Sequence, residues 1–390
     1  MVAVSRRKLL RNSYLCAAAM LCAPTVALAE DLPPLPGPDQ RRRMAEVAAD
    51  FMGSHDIPGL SVAIAVRGKL AYAEAFGVAD RVSGEVLTPQ HRFRIASVTK
   101  PITSAGIFTL IEAGRLRLDS RVFGPGSIFG EDYYPAHPGL LALRSPDFAI
   151  IEQITIEHLL THTVGGWGNA ANDPMFSNRE MNHRELIAWT LTHLPLSAPP
   201  GNSYAYSNFG YCLLGRVIEK ITGQTYERYI RDNVLGRCGI VDMQIAGNTL
   251  SDRAANEVRY HGQQAWDDPY AMNVVRMDSH GGWIATPRDL TMFFVHIDGF
   301  RDTDQLLGDT TLRTMTTPSS ANPRYAKGLF VNSQDNWWHT GLLPGTETIS
   351  VRTHSDFCWS AFMNTRLPDM GHSLDQLVWR MARSVPDWHP

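Results

Sequence analysis

Three short patterns in this chain bring together side chains able to make and break acyl bonds. The first is Ser97-Val98-Thr99-Lys100, which follows Phe93-Arg94-Ile95-Ala96 and opens a run with helical periodicity. Serine and lysine three apart on a helix project from one face, a turn from each other. An ammonium beside a serine hydroxyl in a partly desolvated cleft has its pKa depressed, and the neutral amine can then accept the serine proton. A helix N-terminus adds backbone N–H donors and a positive dipole end near the developing charge. Spacing alone is weak evidence, because Ser5-Arg6-Arg7-Lys8 repeats it in a segment of a different kind.

The second pattern is Tyr206-Ser207-Asn208, placed after Pro199-Pro200-Gly201 and just before an amphipathic run. A loop lets a phenol reach into a cleft while the following helix fixes its base. The phenol can relay a proton between nucleophile and leaving group, and the amide of Asn208 can hold a substrate carbonyl or orient the lysine. The third is His339-Thr340-Gly341, preceded by Trp337-Trp338 and followed by Leu342. Glycine lets a substrate approach a strand edge closely, and the next N–H, that of Leu342, can serve as an oxyanion donor.

The elements that position these patterns follow from periodicity. Residues 40–54 carry helical spacing, and residues 60–66 and 70–76 flank Arg67-Gly68-Lys69 as a hairpin. Residues 97–113, 156–163, 184–194 and 209–222 predict helices separated by Gly- and Pro-rich loops. Thr286-Pro287-Arg288-Asp289 has the N-cap, first-turn proline and acidic third position of another helix start. Strands return at 328–332, 346–353 and 357–364, and a last helix covers 374–383. The fold class read from this order is α/β (α+β). An antiparallel sheet is built from both chain ends, about 57–80 and 326–364, and flanked by helices, with a mostly helical insert over about 97–300.

The bulk properties fit one large domain or two closely joined ones. Hydrophobic residues make up 44% and charged residues 19%, enough apolar surface for a sizeable core. Residues 1–29 differ: Arg6, Arg7 and Lys8 precede an apolar stretch that closes on Ala27-Leu28-Ala29. That is a signal-peptide pattern, and the paired arginines resemble a twin-arginine signal, so export to the periplasm or the outside is expected. Cleavage would remove Arg6, Arg7, Lys8 and Arg11 and no acid, leaving residues 30–390 mildly acidic and without a stable membrane span. No basic face suggests nucleic acid, so the expected partner is a small-molecule or peptide substrate.

Cys212, Cys238 and Cys358 would remain, allowing one disulfide at most. His158 and His162 are four apart, but the glutamate of a zinc H-E-x-x-H motif is absent, so a structural role and no metal are expected. No cofactor is implied. Trp167, Trp283 and Trp338 are read as core residues, with an aromatic substrate pocket as the alternative.

Taken together and in this order, the three patterns resemble the motif set of penicillin-recognising serine enzymes: S-x-x-K, Y-x-N, [KH]-T-G. Residues 154–163 and the Gly-Gly stretch at 281–290 also look like that family, the penicillin-binding protein and class C β-lactamase type, and the resemblance covers about residues 57–364. It implies a β-lactamase/transpeptidase-like fold and an acyl-enzyme on Ser97. It implies that Lys100 and Tyr206 share proton transfer, with Tyr206 favoured as acid to the leaving group and base for the deacylating water. The backbone N–H groups of Ser97 and Leu342 would form the oxyanion hole. Which of Lys100 and Tyr206 takes the serine proton stays open. Asn208, His339, Thr340 and Gly341 would hold substrate.

One position departs from the usual pattern: His339 stands where most β-lactamases have lysine. A histidine is a weaker permanent cation for a β-lactam carboxylate, so efficient β-lactamase activity is not expected. The expected activity is hydrolysis of an amide, peptide and possibly D-residue-containing, or of an ester. A carboxylesterase, a weak β-lactamase and a non-hydrolytic penicillin-binding sensor are the alternatives.

Overall fold

The computed structural model describes residues 35–134, 146–170, 173–264, 267–369 and 371–388. The signal-peptide reading of residues 1–29 lies outside the described residues. Ten strands are present among them: β1 (Gly59–Val66), β2 (Lys69–Asp80), β3 (Glu85–Val86), β4 (Phe93–Arg94), β5 (Gln244–Ile245), β6 (Trp283–Ala285), β7 (Phe330–Val331), β8 (Trp337–Leu343), β9 (Thr346–Arg352) and β10 (Phe357–Met363). Seven form one antiparallel sheet in the order β3-β2-β1-β10-β9-β8-β7. The β1–β10 register runs from Leu60 opposite Met363 to Val66 opposite Phe357, which joins the two ends of the chain as the sequence predicts.

Burial explains the strand sequences. Every residue of β1, β9 and β10 is buried, so these strands are covered on both faces; β1 and β10 read as near-continuous apolar or small-residue runs, while β9 also buries Glu347 and Arg352. The β1–β2 turn places Arg67 at φ 49° and Gly68 at φ 71°, the left-handed pair that a tight two-residue hairpin needs. One face of the sheet packs on α1 (Pro38–His55) and the late helix His372–Ala382, through Met44, Phe51, Trp359 and Leu377. The other face packs on the helical region through Phe93, Ile102, Phe108, Leu213 and Phe362. In α2 (Thr99–Glu112) every residue from Thr99 to Leu110 is buried, as expected of a helix sunk into a core.

The structure differs from the sequence reading at several element ends. The run 97–113 begins with a 3₁₀ turn, Ala96–Val98, and becomes α-helical at Thr99. The run 156–163 stops as Ile156–Leu160, because His162 adopts φ 58° and turns its ring into the core. The strand expected at 328–332 shortens to β7, since a turn closed by Ala326 N–H to the Leu329 carbonyl (2.8 Å) takes the preceding residues out of the sheet. A small sheet, β4-β6-β5, brings together three strands of two or three residues from distant parts of the chain. The Thr286 cap is as expected: its hydroxyl accepts from Asp289 N–H at 3.1 Å. All three cysteines are buried and free, so the single disulfide that was allowed does not form.

Candidate active site

Ser97 lies in the middle of the 3₁₀ turn, directly after Ala96, whose φ of 48° is left-handed. For a residue with a Cβ that conformation costs about 1–2 kcal/mol, so the surroundings must hold it. They do: Ile95 N–H donates to the Trp283 carbonyl (3.0 Å), and the Thr348 hydroxyl donates to the Ile95 carbonyl (2.9 Å). Gly341 of β8 presses against the same turn. A Cβ there would sit 2.1 Å from the Ile95 oxygen and 2.4 Å from Thr348 Oγ1, so no other residue fits. The glycine of the third pattern is therefore required by the protein's own backbone, and the cleft is walled by its neighbours Thr340 and Leu342.

Lys100, one turn on, is fully buried. Its Nζ donates to Ser97 Oγ at 3.0 Å, to Asn208 Oδ1 at 2.7 Å and to the His280 carbonyl at 2.9 Å. Burial lowers its pKa to about 7, while the Asp173 carboxylate pulls in the opposite direction. Asn208 is the first residue of the helix Asn208–Thr222, and the Ser207 hydroxyl caps that helix by accepting from Gly210 N–H at 3.0 Å. Asn208 Nδ2 donates to Asp173 Oδ2 at 2.7 Å, which fixes the amide with its oxygen toward Lys100. Tyr206 touches the Ser97 hydroxyl, and its ring centroid lies 4.8 Å from Lys100 Nζ. Burial pushes its phenol well above the usual value, so it stays protonated. A cleft of about 410 Å³ opens on Ser97, Tyr206, Asn208, His339, Thr340 and Leu342.

A family model described as Beta-lactamase matches residues 44–381. The chain belongs to the β-lactamase family. It is 30% identical over 186 residues to Penicillin-binding protein 4 of Amycolatopsis lactamdurans, a match covering 48% of this chain and 44% of that one. It is 24% identical over 317 residues to Protein flp of Staphylococcus aureus strain MW2, covering 78% and 59%. The chain spans about half the length of the curated relatives it matches. Among solved structures, D-amino acid amidase from Ochrobactrum anthropi SV3 in complex with L-phenylalanine amide superposes with a TM-score of 0.70 at 21% identity, over 90% of this chain and 100% of that one, which shows a common fold.

In this β-lactamase-family site His339 is buried. Its Nδ1–H donates to the Thr340 carbonyl at 2.6 Å, and Nε2 accepts from the Tyr325 hydroxyl at 3.4 Å. His162 sits behind: its Nδ1 accepts from Ser207 N–H (3.1 Å), so its Nε2–H donates to Tyr325 at 3.1 Å. Burial first, then the nearby Lys100 charge, lower the His339 pKa to about 3, leaving it neutral at ordinary pH. No described residue lining the cleft carries an Asp, Glu, Lys or Arg side chain.

Sequence reasoning missed three residues here: Asp173, Tyr325 and His280. Asp173-Pro174 reads only as a helix start, and Asp173 does accept from Met175 N–H at 3.0 Å as the cap of Pro174–Ser177. His162 has the structural role expected of it. His158 likewise, its Nδ1 accepting from Thr155 N–H at 3.2 Å. Among the described residues no group of three metal-ligating side chains occurs. Trp167 and Trp283 are core residues as expected, and Trp338 stacks on Phe330 with centroids 5.9 Å apart.

Proposed function

We propose that the chain is a serine hydrolase that cleaves an uncharged amide or ester through an acyl-Ser97 intermediate. The observation that carries this reading is the bonding of Lys100 Nζ. The Asn208 and His280 oxygens only accept, so they hold two of its N–H bonds in either protonation state. The remaining position faces Ser97 Oγ, as an N–H when Lys100 is charged and as a lone pair when it is neutral. A lysine with pKa about 7 keeps much of that lone pair available at neutral pH. Tyr206 is held as a phenol, which makes Lys100 the group that takes the Ser97 proton and Tyr206 the acid.

In acylation Ser97 Oγ attacks the carbonyl carbon while its proton passes to Lys100. The Ser97 and Leu342 N–H groups stabilise the oxyanion. Tyr206 protonates the leaving amine or alcohol and is reprotonated from Lys100. In deacylation a water adds to the acyl carbon, its proton returns through Tyr206 and Lys100, and Ser97 leaves as the hydroxyl.

The uncharged lining favours substrates without a carboxylate at the site, as the neutral His339 does. A peptide amide, including one with a D-residue, is the first choice, and the likeness to a D-amino acid amidase supports it. A short-chain carboxylesterase is the second reading, favoured by the apolar Phe330, Leu342 and Leu343 in the wall. The mature protein should be screened against p-nitrophenyl esters, D-aminoacyl anilides and a chromogenic cephalosporin. Cephalosporin efficiency equal to every ester and amide would overturn the reading in favour of a β-lactamase. We also propose twin-arginine export on the strength of residues 1–29; a reporter fusion still exported after Arg6→Lys and Arg7→Lys, in a strain without that translocase, would show the ordinary secretory route instead.

A further inference from the structure

Of the described residues lining the catalytic cleft, only His280 carries a buried side-chain nitrogen with no hydrogen-bond partner. Its main-chain carbonyl holds Lys100, but its ring Nε2 is bonded to nothing in the protein, and the residue is 1% exposed. A buried polar nitrogen left unpaired costs stability, and His280 lines the cleft, so a group bound there can supply the missing partner. Burial and the charges of Lys100, Arg276 and Arg216 hold this ring neutral, giving it one N–H donor and one lone pair.

The wall around His280 is built as a unit. Arg276 is buried and donates through Nη2 to the Met175 carbonyl at 2.6 Å and through Nη1 to the Asn178 and Met181 carbonyls. His183 Nε2–H donates to the Arg276 carbonyl at 2.9 Å. These bonds clamp the helix Pro174–Ser177 to the turn Val275–Met277, and both segments send a side chain into the cleft, Phe176 and Met277. Phe176 keeps 38% of its surface exposed and, with Met277, gives this side of the cleft its apolar area.

We propose that Phe176, Met277 and His280 form a subsite that takes an apolar group of the substrate carrying one uncharged hydrogen-bonding function, and that the His280 imidazole makes that bond. Apolar area selects the body of the group, and the otherwise unpaired nitrogen penalises a substrate that lacks the polar function. An N-acylated apolar amino acid has this chemistry; a bare acetyl group does not.

The inference rests on the hydrolase reading, and the test separates the two. The kcat/KM ratio of N-acetylphenylalanine p-nitrophenyl ester, in D and L forms, to p-nitrophenyl acetate is measured for wild type, His280→Leu, His280→Asn and His280→Gln. His280→Leu should lower the ratio for the preferred enantiomer about tenfold, the scale of one uncharged hydrogen bond, chiefly through KM. Asn or Gln, whose amides reach toward one or other ring-nitrogen position, should restore it at least in part. The ratio cancels any general loss from disturbing Lys100. An unchanged ratio in His280→Leu, or a fall that neither amide restores, overturns the subsite. Wild type that turns over neither ester overturns the hydrolase reading itself.

Discussion

Lys100 and His339 are both buried beside Ser97, yet one remains titratable near neutrality and the other does not. Burial drives both toward the uncharged form. For Lys100 the Asp173 carboxylate works against burial, and the group is left at about 7. His339 has a single carbonyl to favour its cation, and the Lys100 charge works against it, so it falls to about 3. The lesson is that one desolvated cleft can hold a proton-accepting base and a fixed neutral hydrogen-bonder side by side, because burial lowers both by a similar amount from ordinary values of 10.5 for an amine and 6.5 for an imidazole.

The largest expected effect removes the nucleophile. Ser97→Ala should abolish turnover and labelling by a fluorophosphonate probe, and mass spectrometry that finds the adduct on another serine would move the centre of the comparison elsewhere. Lys100→Ala and Tyr206→Phe should each lower kcat by about a hundredfold or more, the range of general acid–base catalysis. Because the two act as a unit, the double variant should be little worse than the poorer single, and multiplying losses would show independent action.

The wild-type kcat/KM should rise with pH through about 7 as Lys100 loses its proton. Asp173→Asn tests what keeps Lys100 in that range. The carboxylate raises the lysine pKa, so its removal should move the acidic limb of the profile to lower pH. Activity at pH 8 should fall by about tenfold or less, since Asn208 loses a charged acceptor but Ser97 and Lys100 keep theirs. A profile that stays in place would show that Asp173 is structural only.

On the other side, His339→Lys would put a second buried ammonium beside Lys100. The melting temperature should drop by several degrees, and any gain in cephalosporin turnover over wild type should be limited by that loss. Wild-type cephalosporin efficiency should be at least about a hundredfold below the best ester or amide, as a cleft without a fixed cation implies. The smallest effect is expected for Tyr325→Phe. It removes the donor to His339 and an acceptor for His162, costing about 1–2 kcal/mol in a denaturant titration, with the pH profile above 5 unmoved. A shift of that profile would mean that His339 titrates in the working range.

The local parts of this molecule are legible in its amino-acid order. Serine and lysine spacing, the Tyr206–Asn208 loop before its helix, the Thr286 cap and the sheet drawn from both chain ends all rest on contacts within a few residues or on burial patterns of period two and 3.6. Tertiary structure alone decided the rest. Asp173 reaches Lys100 only through Asn208, 35 positions away, and His162 reaches Tyr325 across 163. Gly341 meets the Ala96 turn because β8 passes it, and the neutrality of His339 depends on its burial and on Lys100. Desolvation and electrostatic coupling are set by everything packed around a group, so they come into being when distant segments meet, and no spacing along the chain encodes them.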